Sequence, residues 1–370
     1  MKKITKTVAT CVLAFSMLFP AGAFADDSKN NQSNMVSIAN KKIEERIQLG
    51  FKEFEDVAPG KIIDLKDEND QVTKSLIVLN RSDRVAGYFV IDHATGLIVE
   101  FATGDTYPGQ GQDTANLYYL GALFYVNKID DNKYLDVKTN LTFDNQTFKS
   151  LIDERQKIVQ QDELIVRPIP SEQSIDVGTF TIINYEYDLI SGVPDYQQND
   201  NSSMDNDCVP TTGAAIAMYW DSNGYPNMSS SNNWLNVADR LGELMDHDDS
   251  YGVYSSDVKS GFDSYISEKG YSSNFSVTRD TSVSFSDIKS EVGADSPAFL
   301  RLIGYSYNDP TGADGGHMVT LVGYESYTDT SDWSNPKYAL VQDNWESTGK
   351  TVYLLMGSFG TMTDLWKVRD

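Results

Sequence analysis

Asn206-Asp207-Cys208-Val209-Pro210-Thr211-Thr212-Gly213-Ala214-Ala215-Ile216-Ala217-Met218-Tyr219-Trp220 joins a polar run, rich in Asn and Asp from Asn199 onward, to an apolar run of small residues. Loop gives way to helix here. Pro210 suits the first helical turn, where its missing N–H has no partner to lose, and Gly213, Ala214, Ala215 and Ala217 let that helix be packed on nearly every side. Cys208 therefore stands at a helix N-terminus, whose partial positive charge favours thiolate over thiol.

The other end of the chain's history fixes how that cysteine is read. Lys2, Lys3 and Lys6 precede a mostly apolar stretch from Thr7 to Pro20, and Ala23-Phe24-Ala25 has the small-x-small form of a cleavage site. Residues 1–25 read as a secretory signal peptide. The apolar run is shorter than the roughly 20 residues of a transmembrane helix, and Cys11, inside it, is misplaced for a lipid anchor. The expectation is a secreted chain, extracellular or associated with the cell wall, without membrane insertion. It keeps a single cysteine, Cys208, in a compartment where structural cysteines come in pairs. A lone cysteine is often a small buried hydrophobe; its place at a helix start points instead to a nucleophile.

Without residues 1–25 the chain has 27 basic and 54 acidic residues, a net charge of −27. That balance excludes nucleic-acid binding, which needs a basic surface to displace counterions, and adhesion to anionic membranes. Acidity keeps an extracellular protein soluble.

Two regions are expected. In the first, Val36, Ala39, Ile43, Ile47, Phe51 and Phe54 recur at helical spacing. Strand-like runs follow at 74–79, 85–91 and 97–101, the last two separated by the turn Asp92-His93-Ala94-Thr95-Gly96. Helical patterns are read around 115–125 and 150–160. Residues 26–165 thus make an α+β unit of ordinary domain size, and the Pro-containing stretch 166–178 reads as a linker. The second region, 179–370, carries the chemistry.

A nucleophilic cysteine needs a histidine that is distant in sequence and near in space, and the chain offers His93, His247 and His317. His317 follows Gly315-Gly316 and opens the alternating run His317-Met318-Val319-Thr320-Leu321-Val322, so it shares a strand face with Val319 and Leu321. His93, in a turn, and His247, in Asp246-His247-Asp248-Asp249, read as solvated. A third group must hold the imidazole in one tautomer. Asp343 or Asn344, after the strand 338–342, can accept from it, with Asp343 preferred, and Trp345 would shield the bond from water. For the oxyanion, Gln197 or Gln198 together with the Cys208 backbone N–H would supply the donor pair. The acidic clusters 205–207 and 246–249 lack the spacing of a twelve-residue calcium loop.

Val193-Pro194-Asp195-Tyr196-Gln197-Gln198, Asp207-Cys208-Val209-Pro210-Thr211-Thr212, and Gly315-Gly316-His317 with Gly323-Tyr324 resemble the secreted C-39-like peptidases, relatives of the bacteriocin-leader-processing enzymes. The likeness covers roughly the last half of the chain. Family members more often have glycine where this chain has Val209, and Asp-Pro where it has Asp343-Asn344-Trp345, a segment nearer to those of papain and streptopain. The resemblance implies an α+β, papain-like peptidase domain, with the nucleophile's helix packed on an antiparallel sheet, preceded by a smaller α+β domain. It also implies Gln198 as the oxyanion glutamine.

The expected function is hydrolysis of peptide bonds in a peptide or protein substrate, with cell-wall peptides among the candidates, through a thioester on Cys208, with His317 as base and acid and no metal or organic cofactor. A peptidoglycan amidase or endopeptidase, a transglutaminase-like acyltransferase and a catalytically inactive extracellular binding module are the alternatives. Lying between the export signal and the peptidase region, residues 26–165 are expected to act as a pro-region.

Overall fold

The computed structural model describes residues 27–159, 182–229, 232–303, 316–357 and 362–370; the signal-peptide reading at 1–25, the linker at 166–178 and Gly315 lie outside them. Helix α1 (Asp27–Gln48) leads to strands β1 (Val57–Lys66), β2 (Val72–Arg81), β3 (Arg84–Asp92), β4 (Ile98–Thr103), β5 (Leu117–Gly121), β6 (Phe124–Asp130), β7 (Lys133–Asp136) and β8 (Thr142–Asp144), then helix α2 (Asn145–Val159). The second part runs β9 (Ile182–Leu189), α3 (Cys208–Ser222), α4 (Trp234–Leu244), α5 (Ser255–Glu268), β10 (Ser276–Asp280), α6 (Phe285–Val292), β11 (Ala298–Leu302), β12 (His317–Asp329), β13 (Lys337–Gln342), β14 (Val352–Leu355) and β15 (Met362–Arg369).

These strands form one hydrogen-bonded sheet in the order β10-β15-β11-β12-β13-β14-β4-β3-β2-β1-β5-β6-β7-β8, with β9 added to β12. The β-branched and aromatic runs of 72–103 fold as an antiparallel meander, as their composition dictates. The Asp92 carboxylate accepts from the N–H groups of Ala94 and Thr95 to close the turn between β3 and β4. Residues 115–125 are not helical. They form β5 and β6, because Tyr118, Tyr119, Phe124 and Tyr125 pack on a sheet, and Gly121 and Leu123 take the positive φ values of a tight reversal (148° and 62°). The Leu123 N–H in that reversal is held by the buried Glu100 carboxylate.

The sheet crosses between the two parts of the chain at β4 and β14, where Ala102 faces Val352, Phe101 faces Tyr353 and Glu100 faces Leu354. The rings of Phe101 and Tyr353 stack there, 4.1 Å apart. Helix α1 adds a second junction, since Arg46 pairs with Glu325 of β12, and Lys41 and Lys42 pair with Asp329 at the end of the same strand. Burying a side chain the size of Phe101 contributes about 2 kcal/mol, so the apolar part of the junction holds the two parts together while the ion pairs fix its register.

Helix α3 is buried along most of its length, from Val209 to Trp220. It lies against α4, β11 and β12. The close approach depends on Gly213, where a Cβ would come within 2.9 Å of Leu241 in α4 and 3.3 Å of Phe299 in β11. No helix among the described residues is long and apolar enough to cross a membrane.

Candidate active site

Cys208 is the first residue of α3. Asp207 ahead of it accepts the Thr211 N–H on its carbonyl (2.9 Å) and the Thr211 hydroxyl on its carboxyl (3.0 Å), which ties the first helical turn to the loop. The Cys208 side chain is half-buried and unpaired with another cysteine. Its sulfur accepts the N–H of Met318, the neighbour of His317, so helix start and strand start meet. Burial, aided by the nearby Asp207, pushes the thiol up to about 11, and burial raises the Asp207 carboxyl to about 7. The helix N-terminus is present, as the sequence requires, and here it is outweighed.

His317 opens β12 and is 3% exposed. The turn before it needs glycine, since a Cβ on Gly316 would stand 2.8 Å from the Leu302 carbonyl. Imidazole Nε2 lies 2.8 Å from the main-chain oxygen of Asp343 and 3.1 Å from Trp345 Nε1. The carbonyl can only accept and the indole N–H can only donate, so a ring protonated on Nε2 satisfies the carbonyl and one protonated on Nδ1 satisfies Trp345. Burial is the largest of the forces that bring His317 down to about 4, and the Lys138 ammonium acts the same way, against the Asp343 carbonyl and carboxylate. At neutral pH the Cys208 thiol and the His317 imidazole are therefore both uncharged in the fold.

The segment after β13 divides its roles. Asp343 meets His317 through its carbonyl, whereas its carboxylate turns away, accepting from Lys138 Nζ (2.6 Å), the Thr348 hydroxyl (2.6 Å) and the Trp345 N–H (3.3 Å). Asn344 has a left-handed backbone (φ 64°) and does not reach the imidazole. Its Nδ2 donates to Thr212 Oγ1 and the Met318 carbonyl, each at 3.0 Å, and to the Cys208 carbonyl at 3.4 Å. One side chain thereby ties α3 to β12 beneath the site. Trp345 is buried with its ring 5.7 Å from the imidazole.

Of the two glutamines, Gln197 is engaged by the carboxyl of Asp195, which burial raises to about 7. Gln198 is buried and tied by its backbone N–H to the Asn344 carbonyl (3.1 Å), and its side-chain oxygen lacks a hydrogen-bond partner in the structure. His93 and His247 are half-buried and engaged elsewhere, by the Ser75 hydroxyl and the Asp205 carbonyl respectively. The acidic residues at 205–207 and 246–249 bond largely to one another's backbones. Among the described residues no group of His, Cys, Asp and Glu side chains is arranged to hold a metal ion.

Two residues of the site lie in the first part of the chain and carry no sequence motif. Lys138 sits in the turn between β7 and β8, 205 positions before Asp343. Glu100, on β4, accepts from the hydroxyls of Tyr88 and Tyr125 and lies within range of the Lys138 charge. Glu100 was detectable in principle as a carboxylate inside the apolar run Ile98-Val99-Glu100-Phe101-Ala102. Lys138 was not.

Residues 190–367 match the Peptidase_C39 like family. A crystal structure described as that of a C39-like peptidase from Bacillus anthracis aligns with 50% of this chain and 98% of its own, at 14% identity and a TM-score of 0.34. No curated protein matches the chain.

Proposed function

We propose that this chain, whose residues 190–367 match the Peptidase_C39 like family, is an exported cysteine peptidase that hydrolyses peptide bonds through a thioester on Cys208. The observation that supports it is the meeting of Cys208, at the start of α3, with the start of β12, where His317 stands. In the proposed reaction His317 takes the thiol proton, the thiolate attacks the peptide carbonyl, and the oxyanion is held by the Gln198 side-chain amide and the Cys208 N–H. The imidazolium then gives its proton to the leaving amine, and water, activated by the same imidazole, hydrolyses the thioester. Asp343 fixes the ring and Trp345 keeps water from the bond that does so. Each step balances with protein groups and water alone.

The test uses the purified chain without residues 1–25 and a peptide library whose products are sequenced. Cleavage that disappears in Cys208→Ala, with the thermal midpoint little changed, supports the proposal. Undiminished cleavage by Cys208→Ala overturns it.

A further inference from the structure

We infer that Lys138, in the first part of the chain, is a positioning residue that holds the proposed Cys208–His317 pair in its resting arrangement by taking the Asp343 carboxylate. The inference rests on the roles proposed for Cys208 and His317. Its geometric basis is independent of them. The Lys138 side chain is wholly buried, and its Nζ lies 2.6 Å from Asp343 Oδ2. The turn that presents it is rigidly built. The Asp136 carboxylate accepts from the N–H groups of Lys138 (2.6 Å) and Thr139 (3.1 Å), the Val137 N–H reaches the Tyr125 carbonyl of β6, and Asn140 completes the reversal at φ 58°. Glu100 of β4, the strand that pairs with β14, accepts from the Tyr125 hydroxyl of β6 and the Leu123 N–H, which ties the strands next to the turn to the second part of the chain.

Burying an ammonium costs several kcal/mol of lost hydration, and a paired one is weak support for stability. The consequence for the site is larger. A histidine that takes the cysteine's proton becomes a cation, which a neighbouring carboxylate favours and a neighbouring ammonium disfavours. Here the carboxylate is occupied by Lys138, the ammonium acts on the ring, and of Asp343 it is the carbonyl that meets the imidazole. Acting on His317 are Asp343 from the end of β13 and Lys138 from the β7–β8 turn, while the Cys208 sulfur of α3 accepts the N–H of the adjacent Met318; behind them, Glu100 feels Lys138, and Asp195 feels Asp343 and Lys350. Of these groups, Lys138 is the cation that acts on the imidazole. Removing it frees the carboxylate to support an imidazolium and so a thiolate.

The test compares Lys138→Met and Lys138→Gln with the wild type, each as the full chain without residues 1–25. Gln keeps an N–H donor for Asp343 and removes the charge; Met keeps the length of the stem. Two quantities are read: the pH profile of Cys208 alkylation by iodoacetamide, and the NMR titration of His317, assigned by its loss in His317→Ala. The titration should move up in both variants, and alkylation at neutral pH should quicken about tenfold for each unit of that rise. A residue with a packing role alone would move neither profile. Unchanged profiles in folded variants, slower alkylation, or loss of the fold in both variants overturns the inference. Undiminished hydrolysis by Cys208→Ala would instead overturn the proposed catalytic roles, and the two profiles would still decide what Lys138 does.

Discussion

Arg46 of α1 and Glu325 of β12 pair inside the protein, both nearly free of solvent contact, on the strand whose first residue is His317. The Arg46 guanidinium lies 4.5 Å from the centre of the Phe101 ring, so the pair is held among aromatic faces where neither charge can be rehydrated. Removing one partner should therefore be far worse than removing both. Arg46→Ala or Glu325→Ala is expected to cost about 3–5 kcal/mol, read as a fall in the midpoint of chemical unfolding. Arg46→Met with Glu325→Leu should recover most of that loss; a double variant as unstable as either single one would contradict the buried pairing.

Asn344 is expected to matter to stability more than to chemistry. Its Nδ2 serves the carbonyls of Met318 and Cys208 and the Thr212 hydroxyl, and its left-handed backbone is one that asparagine tolerates better than alanine. Asn344→Ala should cost about 3 kcal/mol, from stranded buried acceptors and backbone strain together. Asn344→Gly keeps the backbone free and should be about 1 kcal/mol less damaging. Equal losses by denaturant titration would show that the backbone conformation contributes nothing.

The sequence made the elements around Cys208 and His317 legible, because a cysteine before Pro210 and a run of small residues describes one helix start, and alternation after Gly316 describes one strand. The helical reading of 115–125 failed since aromatic residues satisfy both periods over so short a run, and the buried Glu100 beneath Leu123 settles the turn through tertiary contact. Proximity of Asp343 to His317 was readable; that the contact is made by its carbonyl was not. Its carboxylate is taken instead by Lys138, 205 positions earlier in the chain, and no local pattern announces that contact.

Asp207 gives a pH dependence whose sign is fixed. Its carboxyl, ordinarily near 3.8, is raised by burial to about 7 in the fold. The folded state therefore holds this proton more tightly than the unfolded chain. The contribution to stability is complete below about 4 and is lost as pH rises through about 7. The thermal midpoint of the wild type, taken relative to Asp207→Asn, should fall between pH 4 and pH 8. Asn can still accept from Thr211, so the comparison isolates the charge. A flat difference across that range would mean that Asp207 ionises normally.

The three histidines separate by partner. His317→Ala should lose at least about a hundredfold in peptide cleavage, the usual share of a general base. His93→Ala removes a bond to Ser75 and His247→Ala one to the Asp205 carbonyl, and neither partner belongs to the proposed reaction. Both are expected to keep cleavage within about twofold, the surface-type effect of about 0.5 kcal/mol. A large loss in His247→Ala would identify the wrong base.

Cutting the chain between its two parts should not by itself separate them. The sequence alone suggests that cleavage within 166–178 releases residues 26–165 and exposes the site. The shared sheet argues that more is needed, since β4 remains paired with β14, and α1 remains docked on β12 through Arg46, Lys41 and Lys42. Cleaved protein with a protease site introduced in 166–178 should elute as a single one-to-one complex in size exclusion. Cys208 reactivity should stay near that of the intact chain while the pieces remain together. It should rise only after denaturant or displacement separates them and carries Lys138 away from Asp343. Immediate dissociation on cleavage would contradict the strand pairing. Full reactivity in the intact complex would show that the first part of the chain is a permanent component of the enzyme, not a pro-region.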